Sequence, residues 1–267
     1  MVKNKEKGQV LLIIILVMVA VLTVGLSVMS RSITNLRISR EEATSQKALA
    51  AAEAGIEQAL KTNTPIPAGT TLASLGDVTT TYGVTINQIS GNNVLVNGGN
   101  LVPKDEGADI WLVSHNADST PNLSSPWNGS LQIFWGDTSG ACNNAALEVV
   151  VVYSPSPYRF RRYVYDPCPG RRSNNSFSVG VSGVNVISGN SFSYLTPAIP
   201  ISSGFIARVI PLYFSSSIGA RASSALPSQG IRIDSTGDSG GTKRKLIVFK
   251  GYPQLPIQYF SYGLFSP

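Results

Sequence analysis

The residue types that hydrolytic chemistry needs are present in this chain, but no known catalytic motif surrounds them. His115 is the only histidine, Asp109 and Asp118 lie near it in the sequence, and serines are frequent. A Ser-His-Asp set makes a nucleophile from these three residue types. No nucleophile-elbow sequence surrounds any serine, however, and the sequence contains no Walker A, GxGxxG or HExxH motif. We therefore expect a protein that is not an enzyme and binds no cofactor, with His115 in a surface loop.

The oxygen and sulfur ligands in the sequence make a similarly weak case for a metal site. The stretch from Asp234 to Gly241 offers two aspartates among serines and glycines, which could coordinate calcium. It lacks the ligand spacing of a known calcium loop, and a hairpin connection is the favoured interpretation. Two cysteines and one distant histidine make a poor zinc set. We expect no metal.

Cys142 and Cys168 are better explained as a disulfide. They flank two predicted strands, Leu147–Tyr153 and Tyr158–Tyr165, and are equally distant in sequence from Pro155 between those strands. An antiparallel hairpin centred on Pro155 brings the two sulfur atoms together beyond its open end. In an exported domain, the disulfide is therefore the expected state of the two cysteines.

The same register makes a second prediction about this hairpin. It places Glu148 directly opposite Arg162, as a cross-strand pair of opposite charge. The register and the ion pair can therefore be checked separately from the disulfide.

Basic and aromatic residues alternate along the second strand of the hairpin. The set consists of Arg159, Arg161, Tyr163 and Tyr165 on one face of the strand, with Arg171 and Arg172 shortly after it. Interleaved cations and aromatic rings can neutralise phosphates and stack on bases, so the set is a candidate patch for nucleic acid or for a partner protein. A solvated strand face or an interface with another subunit is favoured over nucleic acid. The net charge of +6 supports that preference, because it is divided evenly between the first 61 residues and the rest.

The element that organises the chain is a long N-terminal helix. From Val10 to Met29 the sequence contains no charged residue and no proline. At helical rise this run is about 30 Å long, which matches the hydrocarbon core of a bilayer. Residues 30–61 are rich in helix formers, with a predicted apolar stripe at Ile33, Leu36, Leu49, Ala52, Ile56 and Leu60. The helix is expected to end at Thr64-Pro65.

The N-terminus resembles the class III signal sequence of type IV prepilins. A short basic tail with Lys3, Lys5 and Lys7 precedes Gly8, and the apolar run follows at once. The resemblance implies that a membrane-embedded prepilin peptidase cuts the bond between Gly8 and Gln9 on the cytoplasmic side and methylates Gln9. The segment Gln46–Glu57 is similar to the Ala-Ala-Glu-Ala-Gly helix of minor pilins of the PilX type. A looser similarity to pilin-like proteins extends over Arg208–Tyr213, Gly230–Val248 and Tyr252–Pro256.

The sequence departs from the prepilin pattern at one position. Most pilins carry a glutamate as the fifth residue after the cut, where it is thought to meet the amine of a neighbouring subunit, whereas this chain has Ile13. A carboxylate in lipid is costly and needs a partner, so its absence alters assembly. The resemblance associates subunits without this glutamate with filament tips or initiation complexes. Glu53 and Glu57, on the second half of the helix, are the charged residues expected to pack against the chain's own β-domain and adjoining subunits.

After Pro67 the sequence pattern changes from helical to two-residue periodicity. The first two predicted strands, around Tyr82–Ile86 and Val94–Val96, flank Ser90-Gly91-Asn92-Asn93 and suggest a hairpin. The further predicted strands are Asp109–Ser114, Leu131–Trp135, Leu147–Tyr153, Tyr158–Tyr165, Phe177–Val181, Phe205–Tyr213, Ile231–Asp234, Lys245–Phe249 and Gln258–Phe265. The expected fold class is α+β: a long helix followed by a mostly antiparallel domain of one or two sheets, with the helix packed on one of them.

These patterns combine into four segments and one leading hypothesis. The segments are a cytoplasmic leader (1–8), a transmembrane half-helix (9–29), an amphipathic half-helix (30–64) and an extracytoplasmic β-rich domain (65–267). The hypothesis is a structural subunit, minor rather than major, of a type IV pilus or related filament. Its expected partners are other pilin subunits, the prepilin peptidase, the assembly platform and, before assembly, membrane lipid. Two alternatives stay open: a permanently anchored surface adhesin with an uncleaved N-terminus, and an anchored hydrolase using His115.

Overall fold

The N-terminal helix predicted from the sequence is one unbroken element. The computed structural model describes residues 7–72, 79–154 and 157–254, with only the backbone for residues 7–9. Helix α1 spans Lys7–Thr62, 56 residues. It ends because Asn63 adopts a left-handed conformation (φ 53°) and donates its N–H to the carbonyl of Ala59 at 2.8 Å. The proline at position 65 then prevents further helix.

The rest of the described chain is mostly strand. The strands are β1 (Ile66–Thr71), β2 (Thr80–Gln88), β3 (Gly91–Leu95), β4 (Ala108–Trp111), β5 (Trp127–Trp135), β6 (Ala146–Tyr153), β7 (Arg159–Asp166), β8 (Ser178–Val179), β9 (Val181–Ile187), β10 (Asn190–Leu195), β11 (Ile199–Leu212), β12 (Ile218–Leu226), β13 (Gly230–Ser239) and β14 (Thr242–Gly251). A short helix, α2, covers Pro169–Asn175. The fold is therefore α+β as expected, while the predicted strand Gln258–Phe265 lies outside the described residues.

Two compact units make up the described chain. The first contains the described residues of Met1–Thr85 together with Asp234–Leu246, and the second contains Ile86–Ile233 and the described residues from Ile247 onward. The sheet of the first unit has four strands in the order β1-β2-β13-β14. The helix packs on this sheet, as the sequence predicts.

The helical stripe that packs on the sheet differs from the predicted one. The buried residues of α1 are Ala48, Ala51, Ala52, Gly55, Ile56 and Ala59. Ala52 and Ile56 were predicted correctly, but Leu49 and Leu60 are each 38% exposed, and Ile33 and Leu36 are more exposed still. Small residues form the contact because helix and sheet backbones lie very close together: a Cβ added at Gly237 would collide with the carbonyl oxygen of Ala48.

Polar contacts fix the position of the helix on this sheet. The Tyr82 hydroxyl donates to the Oε1 atom of Gln58 at 2.6 Å. Near the other end of the contact, Arg244 Nε donates to Ser45 Oγ at 2.9 Å. These bonds add directional constraints to an interface whose apolar side chains are mostly single methyl groups.

The second unit contains a ten-stranded sheet. Its main path is β3-β12-β5-β11-β6-β7-β8, with β10 paired to β5 and β9, and β4 paired to β11. The largest cluster of buried side chains lies here and includes Leu131, Ile133, Trp135, Leu147 and Val149. These residues alternate along β5 and β6, so they share one face of each strand. On the other face, Phe134 and Val150 are also buried, in two smaller clusters.

Two predictions about strand pairing were wrong. β2 and β3 do not form a hairpin, because β2 belongs to the four-stranded sheet and β3 pairs with β12. Hairpin β6–β7 exists, but Glu148 lies opposite Val164, and Arg162 lies opposite Val150. The ion pair survives this shift as a diagonal contact, with Arg162 Nη1 at 2.6 Å from Glu148 Oε1. Residue 155, the predicted centre of the turn, lies outside the described residues.

Candidate functional site

The first half of α1 is the largest exposed apolar surface of the described chain. Its large apolar side chains from Val10 to Met29 are between 53% and 67% exposed, and more than a dozen of them share this environment. Burying one such side chain is worth about 1.5–3 kcal/mol. Keeping all of them in water would cost on the order of tens of kcal/mol, more than the roughly 5–15 kcal/mol that stabilises a typical domain. This segment therefore requires an apolar environment, either lipid or other apolar helices.

The same helix satisfies the size requirement for a membrane span. It is long and apolar enough to cross a bilayer, and none of its most apolar window is buried within the chain. Single-pass anchoring through the N-terminal helix is consistent with this geometry. Ile13 lies inside the apolar run with 58% of its surface exposed. The Gly8–Gln9 bond lies in the first turn of α1, which begins at Lys7.

Glu53 and Glu57 lie on the opposite side of α1 from its packed stripe. Both residues are exposed, while Ala52 and Ile56 next to them in sequence are buried. Helical periodicity explains this alternation, because a step of four residues returns to nearly the same face. The prediction that these glutamates pack against the chain's own β-domain was wrong. Their carboxylates face away from it and are available to another molecule.

The two cysteines form a disulfide in the second unit, with their Cα atoms 4.4 Å apart. Cys142 lies in a short turn before β6, and Cys168 directly precedes α2. The sulfur atoms therefore meet beyond the open end of hairpin β6–β7, as the sequence predicts. The bond ties α2 to the turn that leads into β6.

Arg171 reinforces the disulfide through several hydrogen bonds. Its Nη2 donates to Asp166 Oδ1 at 2.7 Å and to the carbonyl of Asn144 at 2.7 Å, and its Nη1 donates to the carbonyl of Cys142 at 3.1 Å. Burial alone would raise the pKa of Asp166, but hydrogen bonds from Arg171, the Cys168 N–H and Asn175 together hold it below its usual value. The carboxylate is therefore ionised and structural at neutral pH.

The predicted basic and aromatic patch is divided among different environments. Tyr165 is buried in the main core cluster, and Arg171 forms an ion pair with Asp166. Arg172 donates to the carbonyl of Asp166 at 3.2 Å. The remaining members, Arg159, Arg161 and Tyr163, lie on β7 with both arginines exposed. The structure thus keeps only half of the predicted set together on one accessible surface.

The expectation that His115 lies in a surface loop holds only in part, because the residue lies between β4 and β5 but is half-buried. Its ring lies parallel to the Tyr252 ring with centroids 3.6 Å apart, and edge-on to Trp111 at 4.5 Å. Both ring nitrogens are buried and make no hydrogen bond to any described residue. Burial lowers the pKa of His115, so the imidazole is neutral at pH 7.

The acidic residues considered with His115 have other partners. Asp109 accepts two hydrogen bonds from Arg208, from Nε at 2.7 Å and from Nη2 at 2.8 Å, inside the second unit. Asp118 accepts hydrogen bonds from the hydroxyl and the N–H of Thr120. The Asp109–Arg208 pair was not predicted from the sequence. A charged residue in the apolar run Phe205–Tyr213 was the available signal that Arg208 needs a buried partner.

Asp234 and Asp238, weighed above as calcium ligands, lie in strand β13 rather than in a loop. Asp234 forms an ion pair with Lys245 at 2.9 Å, and Asp238 lies 3.9 Å from Lys243. The turn between β13 and β14 is formed by Gly240 and Gly241, both with positive φ. Across residues 7–72, 79–154 and 157–254, no three His, Cys, Asp or Glu side chains cluster in a way that could hold a metal.

Comparisons of this chain with protein-family models, with curated proteins and with solved structures found no significant match.

Proposed function

We propose that this chain is a pilin-like structural subunit, minor rather than major, that assembles into a type IV pilus or a related filament. The observation that carries the proposal is the division of α1. Its residues 10–29 expose only apolar and small polar side chains, and its residues 48–59 pack on a sheet mostly through alanine and glycine. A subunit built this way can rest in lipid and then exchange lipid for the helices of its neighbours.

The flanking sequence supports an orientation for this subunit. Lys3, Lys5 and Lys7 precede the apolar run and favour a cytoplasmic N-terminus. The disulfide between Cys142 and Cys168 suits an oxidising compartment on the other side. The proposed location is thus the cytoplasmic membrane, with the β-rich part outside, followed by an extracellular filament.

Processing by a prepilin peptidase tests this proposal. The chain is co-expressed with the peptidase, and its intact mass is measured. We expect a mature chain that starts at Gln9 and carries a methyl group, and a Gly8→Val variant that keeps Met1 or loses only the initiator methionine. An unprocessed wild-type chain beside a processed control prepilin would contradict the proposal and favour a permanent membrane anchor.

The identity of residue 13 bears on where this subunit lies within the filament. A buried carboxylate needs a partner, and a chain that lacks it cannot offer that contact to the amine of an adjacent subunit. We propose that the chain occupies few positions, at the tip or in the initiating complex.

A further inference from the structure

A surface pocket opens in the second unit beside an irregular part of strand β11. β11 lies between β5 and β6: it pairs with β5 at Ile199–Ile201 and at Gly204, and with β6 from Gly204 onward. The register shifts between Ile201 and Gly204, and Ser203 adopts a left-handed conformation there (φ 53°). A pocket of about 260 Å³ lies beside this irregularity and is lined by residues of β5, β6, β7 and β11. A bulge of this kind re-aims side chains and is common next to functional sites.

The pocket combines an apolar floor with polar and aromatic walls. Val151 and Ile201 form the floor and are 2% and 6% exposed. Tyr153, Tyr163 and Ser202 contribute two aromatic rings and three hydroxyl groups to the walls. A few placed polar groups around an apolar base are typical of small-molecule sites.

Arg161 supplies the charge at this pocket. Its guanidinium lies over the Tyr153 ring, 5.4 Å from the centroid, and hydrogen bonds to the hydroxyls of Tyr163 and Tyr153 raise its pKa. Arg162, Arg171 and Arg208 each pair with a carboxylate. In contrast, no carboxylate among the described residues interacts with Arg161. A guanidinium has five N–H donors, so two hydroxyl partners leave donors for a ligand.

We propose that this pocket binds a small anionic ligand, a carboxylate or phosphate group on a body no larger than a sugar ring, and that Arg161 recognises its charge. The planar fork of a guanidinium matches both groups in a two-point contact. The tyrosine rings and the apolar floor contact the body of the ligand. The site would give the subunit a binding role in addition to its structural one, and it does not depend on the proposed assembly.

The surroundings of Arg161 favour a small ligand over a nucleic acid strand. Binding along a strand needs several free cations spaced along a groove. Arg171 and Arg172 contact Asp166 instead, and Arg159 is exposed but does not line the pocket. One guanidinium in one pocket fits one anionic group.

The test compares two arginines on the same strand in the full chain, held in detergent micelles. Sodium glucuronate, glucose and inorganic phosphate are titrated separately, and binding is followed by NMR chemical shifts. We expect at least one anion to bind about tenfold or more tightly than glucose, because a hydrogen bond to a charged group has roughly that effect. Arg161→Gln should weaken that binding by about tenfold or more, whereas Arg159→Gln should change it less than about twofold.

The three ligands distinguish the sources of the anion. Binding of glucuronate alone identifies a carboxylate ligand, and binding of phosphate alone identifies a phosphate ligand. The proposal is overturned if neither anion saturates the protein by about 10 mM, if glucose binds equally well, or if Arg161→Gln and Arg159→Gln have the same effect. Because Arg161 is exposed, its variant should keep the wild-type melting temperature, and a fold defect would be visible in that measurement.

Discussion

Single side chains in the second unit form buried polar contacts whose contribution to the free energy of unfolding can be measured. Arg171 holds the carboxylate of Asp166 and the carbonyls on the far side of the disulfide at the same time. The Asp166 side chain has no exposed surface. Removing one partner of a buried charged hydrogen bond leaves the other unsatisfied, which costs more than the bond itself contributes.

Replacement of Arg171 should therefore destabilise the second unit. We expect Arg171→Met to lower its free energy of unfolding by about 1–3 kcal/mol, and Arg159→Met, an exposed arginine on β7, to lower it by less than about 0.5 kcal/mol. Urea unfolding followed by tryptophan fluorescence measures this, because Trp111, Trp127 and Trp135 all lie buried in the second unit. Equal effects of the two substitutions would show that the Asp166 contact contributes nothing.

The lowered pKa of Asp166 gives this contact a pH dependence. Because the folded-state pKa lies below the unfolded value of 3.8, the stabilisation is complete above about pH 4 and is lost as pH falls through the folded-state pKa. The difference in stability between wild type and Asp166→Asn should shrink below pH 4. An unchanged difference at pH 3 would contradict the assignment.

The effect of His115 on stability should change at a higher pH than the effect of Asp166. Burial lowers its pKa below 6.5, so the unfolded chain takes up the proton first, and stability should fall as pH decreases below about 6.5. We expect His115→Phe to keep the aromatic stack with Trp111 and Tyr252 and to reduce the loss of melting temperature between pH 7 and pH 5. The two proteins are compared by thermal unfolding at both pH values. An identical loss in both would show that protonation of His115 is not responsible.

At the scale of elements, the packing of α1 depends on the small size of its contact residues. Ala52 is fully buried against strand β13 near Gly237, whereas Ala43 is exposed on the same helix. We expect Ala52→Leu to destabilise this contact by about 1–3 kcal/mol because a larger side chain cannot fit. The matched substitution Ala43→Leu should be nearly neutral. Hydrogen exchange at β13 should rise for the first variant only, and equal protection in both would contradict the packing.

The sequence predicted elements better than their contacts. An uncharged run without proline was enough to place α1, and the spacing of Cys142 and Cys168 was enough to pair them. The buried face of α1 could not be predicted, because it is set by the close approach of Gly237 from a distant strand. The prediction of a β2–β3 hairpin was wrong for a related reason, because a glycine-asparagine turn signal does not specify which sheet each strand joins.

The sequence also could not predict the register of the strands or the partners of individual charged side chains. The spacing of the two cysteines predicted that Glu148 lies opposite Arg162, whereas the strand register places Glu148 opposite Val164. The sequence could identify Arg161 and Arg171 as cations on or near one strand. Only the structure shows that Arg171 contacts Asp166 and that Arg161 lines a pocket.

At the scale of the whole molecule, the apolar half of α1 requires an apolar partner that the described residues do not provide. The exposed glutamates of its second half, Glu53 and Glu57, face outward from the packed stripe. Lipid satisfies the apolar half, and water satisfies the exposed glutamates. The filament proposal rests instead on the apolar half together with the basic tail and Gly8 that precede it, and in a filament the helices of neighbouring subunits replace the lipid.

The composition of filaments sheared from the cells that produce this chain is the most direct test. Mass spectrometry of that fraction should detect the β-rich part at low copy number, together with an N-terminal peptide that begins at methylated Gln9. The Gly8→Val variant should be absent from the filaments and remain with the membranes. Retention of the wild-type chain in the membrane fraction, while other subunits appear in the filaments, would contradict the account.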